Sequence, residues 1–269
     1  MALVIFAPVP RESRRSEKQY ITILPNGDRS ETKELPCWID KWTAEKELAN
    51  RKARNGKAIL PLQIPIEPAE VFMSVVVPAF NEEDRLVGML EEAVDYLQEE
   101  FGGAHDGDAD QNNSKTAEKG WEILIVSDGS TDATVDKALE FAREHQLSKH
   151  ARPASGPWKS GLTHADRIPY GSIRVVSLEA NRGKGGAVTH GMRHVRGKYV
   201  VFADADGASR FSDLGKLLHS CEAIQDKQGR GVAIGSRAHL VGSEAVVKVS
   251  HIHASSCFST AWLIPYLAL

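Results

Sequence analysis

Short apolar, β-branched runs alternate along this chain with longer segments whose apolar residues recur every three or four positions. Residues 73–77 (Met73, Ser74, Val75, Val76, Val77) predict a buried parallel strand, broken by Pro78-Ala79-Phe80-Asn81. Residues 82–101 then carry Leu86, Met89, Leu90, Ala93, Val94 and Leu97 at helical spacing. Residues 121–126 predict a second strand, and Val135, Ala138, Leu139 and Ala142 mark one face of the next helix. A third strand is expected at 173–176, a glycine-started helix at 183–195 and a fourth strand at 199–203. A helix at 211–224 and a fifth strand at 232–234 complete the series. This alternation predicts an α/β fold with an open, mostly parallel central sheet flanked by helices.

Upstream the pattern is weaker. Residues 19–24 alternate like a short strand, Pro25-Asn26-Gly27 signals a turn, and residues 36–42 place two tryptophans near a helix start. Residues 1–70 are therefore expected to form an extended lead-in packed on a domain spanning 71–248. Two hydrophilic insertions, 102–120 and 146–170, read as surface loops. Residues 249–269 read as a divergent tail.

Composition narrows the classes. The 269 residues carry 33 Lys+Arg against 36 Asp+Glu, a net charge of −3, which argues against a nucleic-acid or other polyanion binder. Three widely spaced cysteines (Cys37, Cys221, Cys257) form no CxxC pair and suggest neither a zinc site nor a disulfide framework. Neither apolar end reaches the ~20 residues that a membrane-spanning helix needs.

In a sheet of this kind ligands bind beyond the C-terminal ends of the strands, and polar motifs fall there. They are Asn81-Glu82, Ser127-Asp128-Gly129-Ser130, Asn181-Arg182-Gly183-Lys184-Gly185-Gly186, Asp204-Ala205-Asp206 and Gly235-Ser236-Arg237. Any one could be ordinary turn chemistry; five at one sheet edge point to a site. Asp204 and Asp206, two apart after an apolar run, can both reach one hard cation such as Mg²⁺ or Mn²⁺. The glycine-rich loop fits neither the dinucleotide-binding fingerprint nor a Walker A motif. It offers backbone amides at a helix start together with Lys184 and Arg182, a combination that suits an anion such as a diphosphate. Arg237 could add a second cationic contact. His251 and His253 read as accidental neighbours in the unmatched tail.

Together these motifs, with Leu35-Pro36-Cys37-Trp38-Ile39-Asp40 upstream, resemble the inverting, metal-dependent nucleotide-sugar glycosyltransferases of family 2, and within it those that use dolichyl phosphate. The resemblance spans about residues 17–248 and implies a GT-A fold. It implies transfer of glucose from UDP-glucose to dolichyl phosphate, with inversion, in support of protein N-glycosylation. It further implies a Mg²⁺ or Mn²⁺ cofactor and a place at the endoplasmic reticulum membrane, facing the cytosol. Carried over by position, Pro78, Ala79 and Glu82 would line the nucleoside pocket and Asp128 would contact the uracil. Lys184 would lie near the base or diphosphate. Asp204 would hold the ribose or the metal, Asp206 would be the metal ligand, and Arg237 would assist catalysis. Related polyprenyl-phosphate mannosyltransferases place a further ligand two residues on, where this chain has Ala208. The family's N-terminal anchor and acceptor-side continuation have no counterpart here, so a truncated chain is expected. The competing readings are a nucleotide-sugar-binding remnant without turnover and a family-2 transferase with another donor or acceptor. A dehydrogenase is disfavoured, because the glycine loop does not follow the first strand.

Overall fold

A computed structural model describes residues 12–55, 67–102, 119–147, 168–227, 229–235 and 262–265. The lead-in contributes β1 (Gln19–Tyr20) and β2 (Lys33–Glu34), paired antiparallel, then α1 (Trp38–Arg54). Next come β3 (Val71–Ala79), α2 (Leu86–Phe101), β4 (Trp121–Ser127), α3 (Thr134–Leu147) and β5 (Ile173–Ser177). Then follow α4 (Gly183–Met192), β6 (Gly197–Phe202), α5 (Leu214–Ala223), β7 (Ala233–Ile234) and β8 (Trp262–Pro265).

The main sheet has the order β5-β4-β3-β6-β8-β7. Strands β5, β4, β3 and β6 run parallel, and β8 pairs antiparallel with both β6 and β7. This is the parallel, helix-flanked sheet that the strand–helix alternation predicts. Strand β8, inside the tail expected to be divergent, carried no sequence signal. The two insertions lie mostly outside the described residues, as do Ser236, Arg237, His251, His253 and Cys257. Among the described residues, no helix is long and apolar enough to cross a membrane.

The continuous apolar runs are explained by layers on both faces of the sheet. Val75, Val77, Ile123, Ile125 and Val175 pack with Leu86, Leu90, Ala93 and Leu97 of α2 and Ala138 and Ala142 of α3. On the other face Val76, Leu124, Val126 and Val176 pack with Ala187 of α4 and with Leu35 of the lead-in. Helix α4 lies very close to the sheet at Gly191, where an added Cβ would come within 2.4 Å of a Val76 methyl. Gly191→Ala is therefore expected to destabilise the fold by about 1–3 kcal/mol through overpacking. Urea unfolding monitored by tryptophan fluorescence checks this, and an unchanged midpoint would show that α4 can shift freely.

Pro78 does not end β3 as its sequence position suggests. Ladder donors alternate sides along a parallel strand, and Val76 and Ala79 fix that phase: their carbonyls accept from Ala203 and Asp128 respectively. The nitrogen of Pro78 therefore points toward β6, whose pairing with β3 has already stopped at Val76↔Phe202. No ladder bond is lost, and the strand continues to Ala79.

The opposite, N-terminal end of the sheet holds a buried charge cluster. Glu122 on β4 is fully buried; its carboxylate accepts from the Ser74 hydroxyl (2.6 Å), Arg174 (2.5 Å), the Arg196 backbone (2.7 Å) and the Arg196 guanidinium (2.8 Å). Burial pushes this carboxyl up, but the two arginines and the hydroxyl more than offset that and hold it below its ordinary value.

Candidate active site

Strands β4 and β5 extend the sheet to one side of β3, while β6 lies on the other. The direction of winding reverses between β3 and β6, which is where open α/β sheets bind ligands. The loops after β3, β4, β5 and β6 carry the residues that the sequence singles out.

The first two loops are laced together. Asn81, in the left-handed region at φ 55°, accepts the Thr131 N–H at 2.9 Å through its side chain. The Ser130 hydroxyl accepts the Asn81 N–H (3.2 Å), and the Thr134 hydroxyl accepts that of Glu82 (2.8 Å). The Glu83 carboxylate accepts the Ala133 N–H at 2.8 Å, and the Asp132 carboxylate accepts the Glu83 N–H at 3.2 Å. These bonds explain why the motif after β3 and the motif after β4 occur together: each closes the other's loop. Pro78 is partly exposed, Ala79 is buried, and Phe80 stands 46% exposed beyond them. Glu82 pairs with Arg85. Burial raises the Glu82 carboxyl, and the charge of Asp206 adds to the rise.

Asp128 is only 3% exposed and accepts the Arg182 backbone N–H at 2.7 Å. Its carboxyl is raised by burial, with the amides of Arg182 and Gly183 opposing the rise. Gly129 is required beside it. It sits at φ 73°, and a Cβ there would lie 2.8 Å from the Asn181 nitrogen. The Arg182 amide thus serves the Asp128 carboxylate and the Gly183 amide the Asn181 side chain (2.8 Å), so neither is spare for a bound anion. Arg182, expected beside Lys184 as a cation for that anion, is also committed elsewhere: its guanidinium donates to the buried Glu17 at 2.7 Å. Lys184 is the loop's cation at the sheet edge. Its ammonium lies 2.6 Å from the Asp204 carboxylate and 5.6 Å from the centroid of the Phe202 ring.

Asp204 and Asp206 follow the end of β6, interleaved with the buried Ala203 and Ala205. Asp204 is partly covered and Asp206 is exposed. One Asp206 oxygen accepts the Ala208 N–H at 2.9 Å, closing a tight turn through Gly207 at φ 72°. The backbone of Gly183, Gly185 and Gly207 borders open space, since an added Cβ would meet nothing within 4 Å. Among the described residues no three His, Cys, Asp or Glu side chains converge as a closed metal cage. Asp204 and Asp206 are carboxylate oxygen donors beside open backbone, the ligand type that Mg²⁺ or Mn²⁺ takes when phosphate and water complete its shell. Arg237 lies outside the described residues.

The lead-in supplies residues that no sequence pattern had marked. Glu17 reads as a charge in a polar stretch, yet it is fully buried against the glycine-loop arm. His190 on α4 is buried too; its Nε2–H donates to the Glu17 carbonyl (2.9 Å) and its Nδ1 accepts from Ser13 (3.2 Å). Burial, with neighbouring His194 adding to it, pulls His190 down to about 4. No motif could have found these, because each contact joins positions more than 160 residues apart.

The fold is that of a nucleotide-diphospho-sugar transferase domain, and the profile of glycosyl transferase family 2 matches residues 74–165 and 164–239. The chain belongs to this family. Its relatives are more particular. Dolichyl-phosphate beta-glucosyltransferase of Saccharomyces cerevisiae is 39% identical over 189 residues, covering 68% of this chain and 46% of the yeast protein. The enzyme of the same name from Mus musculus is 32% identical over 239 residues, covering 88% of this chain and 61% of that protein. The chain spans about half the length of the curated relatives it matches. Among solved structures, the mannosyltransferase PcManGT from Pyrobaculum calidifontis, in complex with GDP-Man and Mn²⁺, aligns at 20% identity and a TM-score of 0.29. That alignment covers 62% of this chain and 36% of the other.

Proposed function

We propose that this domain binds UDP-glucose with Mg²⁺ or Mn²⁺ and directs glucose onto dolichyl phosphate, with inversion, at the cytosolic face of the endoplasmic reticulum membrane. The observation that carries the reading is the placement of Asp128, Lys184, Asp204 and Asp206 at the switch point of a family-2 sheet. The names of its relatives supply the sugar and the acceptor.

The roles follow from charge and hydrogen bonding. Asp128, already accepting one amide, keeps acceptor capacity for the N3–H of a uracil, which a cytosine does not offer. Pro78, Ala79 and Glu82 line the nucleoside side. Asp206, with Asp204, would hold the divalent cation, which when bound offsets charge on the diphosphate. Asp204 serves the ribose or the metal. Lys184 lies beside Asp204, where its ammonium can meet the diphosphate and stabilise the charge it gains as the glycosidic bond breaks. Arg237 supplies a second positive charge to the same group. An ionised acceptor phosphate is nucleophilic without a strong general base, so displacement from the face opposite the diphosphate turns an α-linked donor into a β-linked product.

The test is to titrate the chain with UDP-glucose, with and without Mn²⁺, and then add a short polyprenyl phosphate. Metal-dependent binding that prefers UDP over CDP, followed by glucosyl polyprenyl phosphate, supports the proposal. Binding without product leaves the chain a nucleotide-sugar binder. Preference for another nucleotide sugar overturns the donor assignment.

A further inference from the structure

We infer that Glu17 of the lead-in is a positioning residue for the nucleotide site, acting through the loop 179–183; this rests on the donor reading above. Glu17 has no exposed surface, although it sits in a strongly polar stretch, Arg14-Arg15-Ser16-Glu17-Lys18. Its carboxylate grips both ends of one loop. Oε1 accepts the Glu179 backbone N–H at 3.1 Å, just after β5, and Oε2 accepts Arg182 Nη2 at 2.7 Å, just before α4. Oε2 also accepts the Arg14 N–H at 2.8 Å, so the carboxylate is itself held in one orientation. The Glu17 carbonyl is fixed in turn by His190 of α4.

What Glu17 holds is what the site uses. The Arg182 backbone N–H is the donor to Asp128, and Lys184 is two residues further on. The Asp128-Gly129 turn packs closely on the same loop, where a Cβ at Gly129 would lie 2.8 Å from the Asn181 nitrogen. Losing the Glu17 bond would leave the Arg182 side chain its longer bonds to the Ser13 hydroxyl (3.4 Å) and the Glu12 carbonyl (3.3 Å), and would loosen the backbone that orients Asp128 and aims Lys184 at Asp204. A buried charge-assisted pair of this kind fixes orientation more sharply than a neutral contact, and by analogy the outer partners that orient metal ligands change metal affinity about 10–100-fold.

The competing explanation is that Glu17 only fastens the lead-in. Affinity and stability separate the two. UDP is titrated calorimetrically into the full chain in excess Mn²⁺, well below every variant's melting midpoint. Glu17→Gln is expected to weaken UDP binding about tenfold, and Glu17→Asp, which keeps the charge, to recover part of that loss. The pair Glu17→Gln with Arg182→Gln should bind no more weakly than Arg182→Gln alone, because the amide oxygen left by Glu17→Gln can still accept the Glu179 N–H and the loss falls on the Arg182 bond. Trp38→Phe cuts another lead-in tie, the indole N–H to the Met192 carbonyl at the far end of α4. It should lower the melting midpoint and leave UDP affinity unchanged. Wild type that binds UDP while Glu17→Gln binds equally well overturns the positioning role alone. Wild type that does not bind UDP overturns the donor reading and this inference with it. If Glu17→Gln does not fold, Arg182→Gln, which removes the same bond, carries the comparison, and wild-type UDP affinity in that variant overturns the inference.

Discussion

Asp206→Ala is expected to lower glucosyl transfer by more than about 100-fold while leaving the melting midpoint within a degree or so of wild type. The carboxylate is exposed, and its one described bond closes a turn that glycine already favours, so little of the fold depends on it. Its contribution to transfer should be large. A cation that offsets charge on a departing diphosphate is worth several kcal/mol in the transition state, and each 1.36 kcal/mol is about tenfold in rate. Asp206→Asn is the sharper variant. It keeps an oxygen for the Ala208 N–H and loses only the negative charge, so it should fail as badly as alanine. The measurement is product formation from UDP-glucose and a short polyprenyl phosphate, with UDP affinity read across a Mn²⁺ titration. Residual activity above a few per cent of wild type in either variant, or metal-dependent binding that survives, would remove Asp206 from the metal site.

Glu122→Ala should cost stability instead, by about 3–5 kcal/mol, because it leaves the guanidinium of Arg174 buried without its carboxylate. Glu122→Gln keeps the shape and the Ser74 contact but strands the same charge, so it should be nearly as damaging. Chemical denaturation at neutral pH measures both. The pH dependence follows from the sign of the shift. The Glu122 carboxyl titrates lower in the folded protein than in the unfolded chain, so its contribution is complete above the unfolded value, near 4.3. It is lost as the pH falls through the lower, folded value. Wild type and Glu122→Gln should therefore converge in stability in acid; parallel curves down to strongly acid pH would show that Glu122 is not the linked group. The cluster lies at the end of the sheet opposite the switch point, so UDP affinity of the folded variants should be unchanged.

Much of this was legible in the chain because burial on both faces of a parallel sheet imposes unbroken apolar runs. Val75-Val76-Val77 and Ile123-Leu124-Ile125 could hardly be anything else. The candidate site was legible for a related reason: polar residues directly after such runs have to sit at one sheet edge. Errors arose where a local signal was outvoted. Pro78 reads as a strand terminator, but its missing donor faces a side where the ladder has ended. Arg182 reads as a phosphate ligand, but a buried carboxylate far upstream claims it.

Local pattern by itself determined the strand–helix order, the faces of the helices and the acidic, glycine-rich and lysine motifs at the strand ends. These depend on the spacing of residues near one another in sequence, which periodicity records. Only the tertiary structure decided which charges meet: Lys184 with Asp204, Arg182 with Glu17, and Glu122 with Arg174 and Arg196. Each pair is formed by the winding of the sheet or by the lead-in folding back onto it. A side chain's partner there is set by strand order and loop closure, and neither leaves a trace in the spacing of nearby residues.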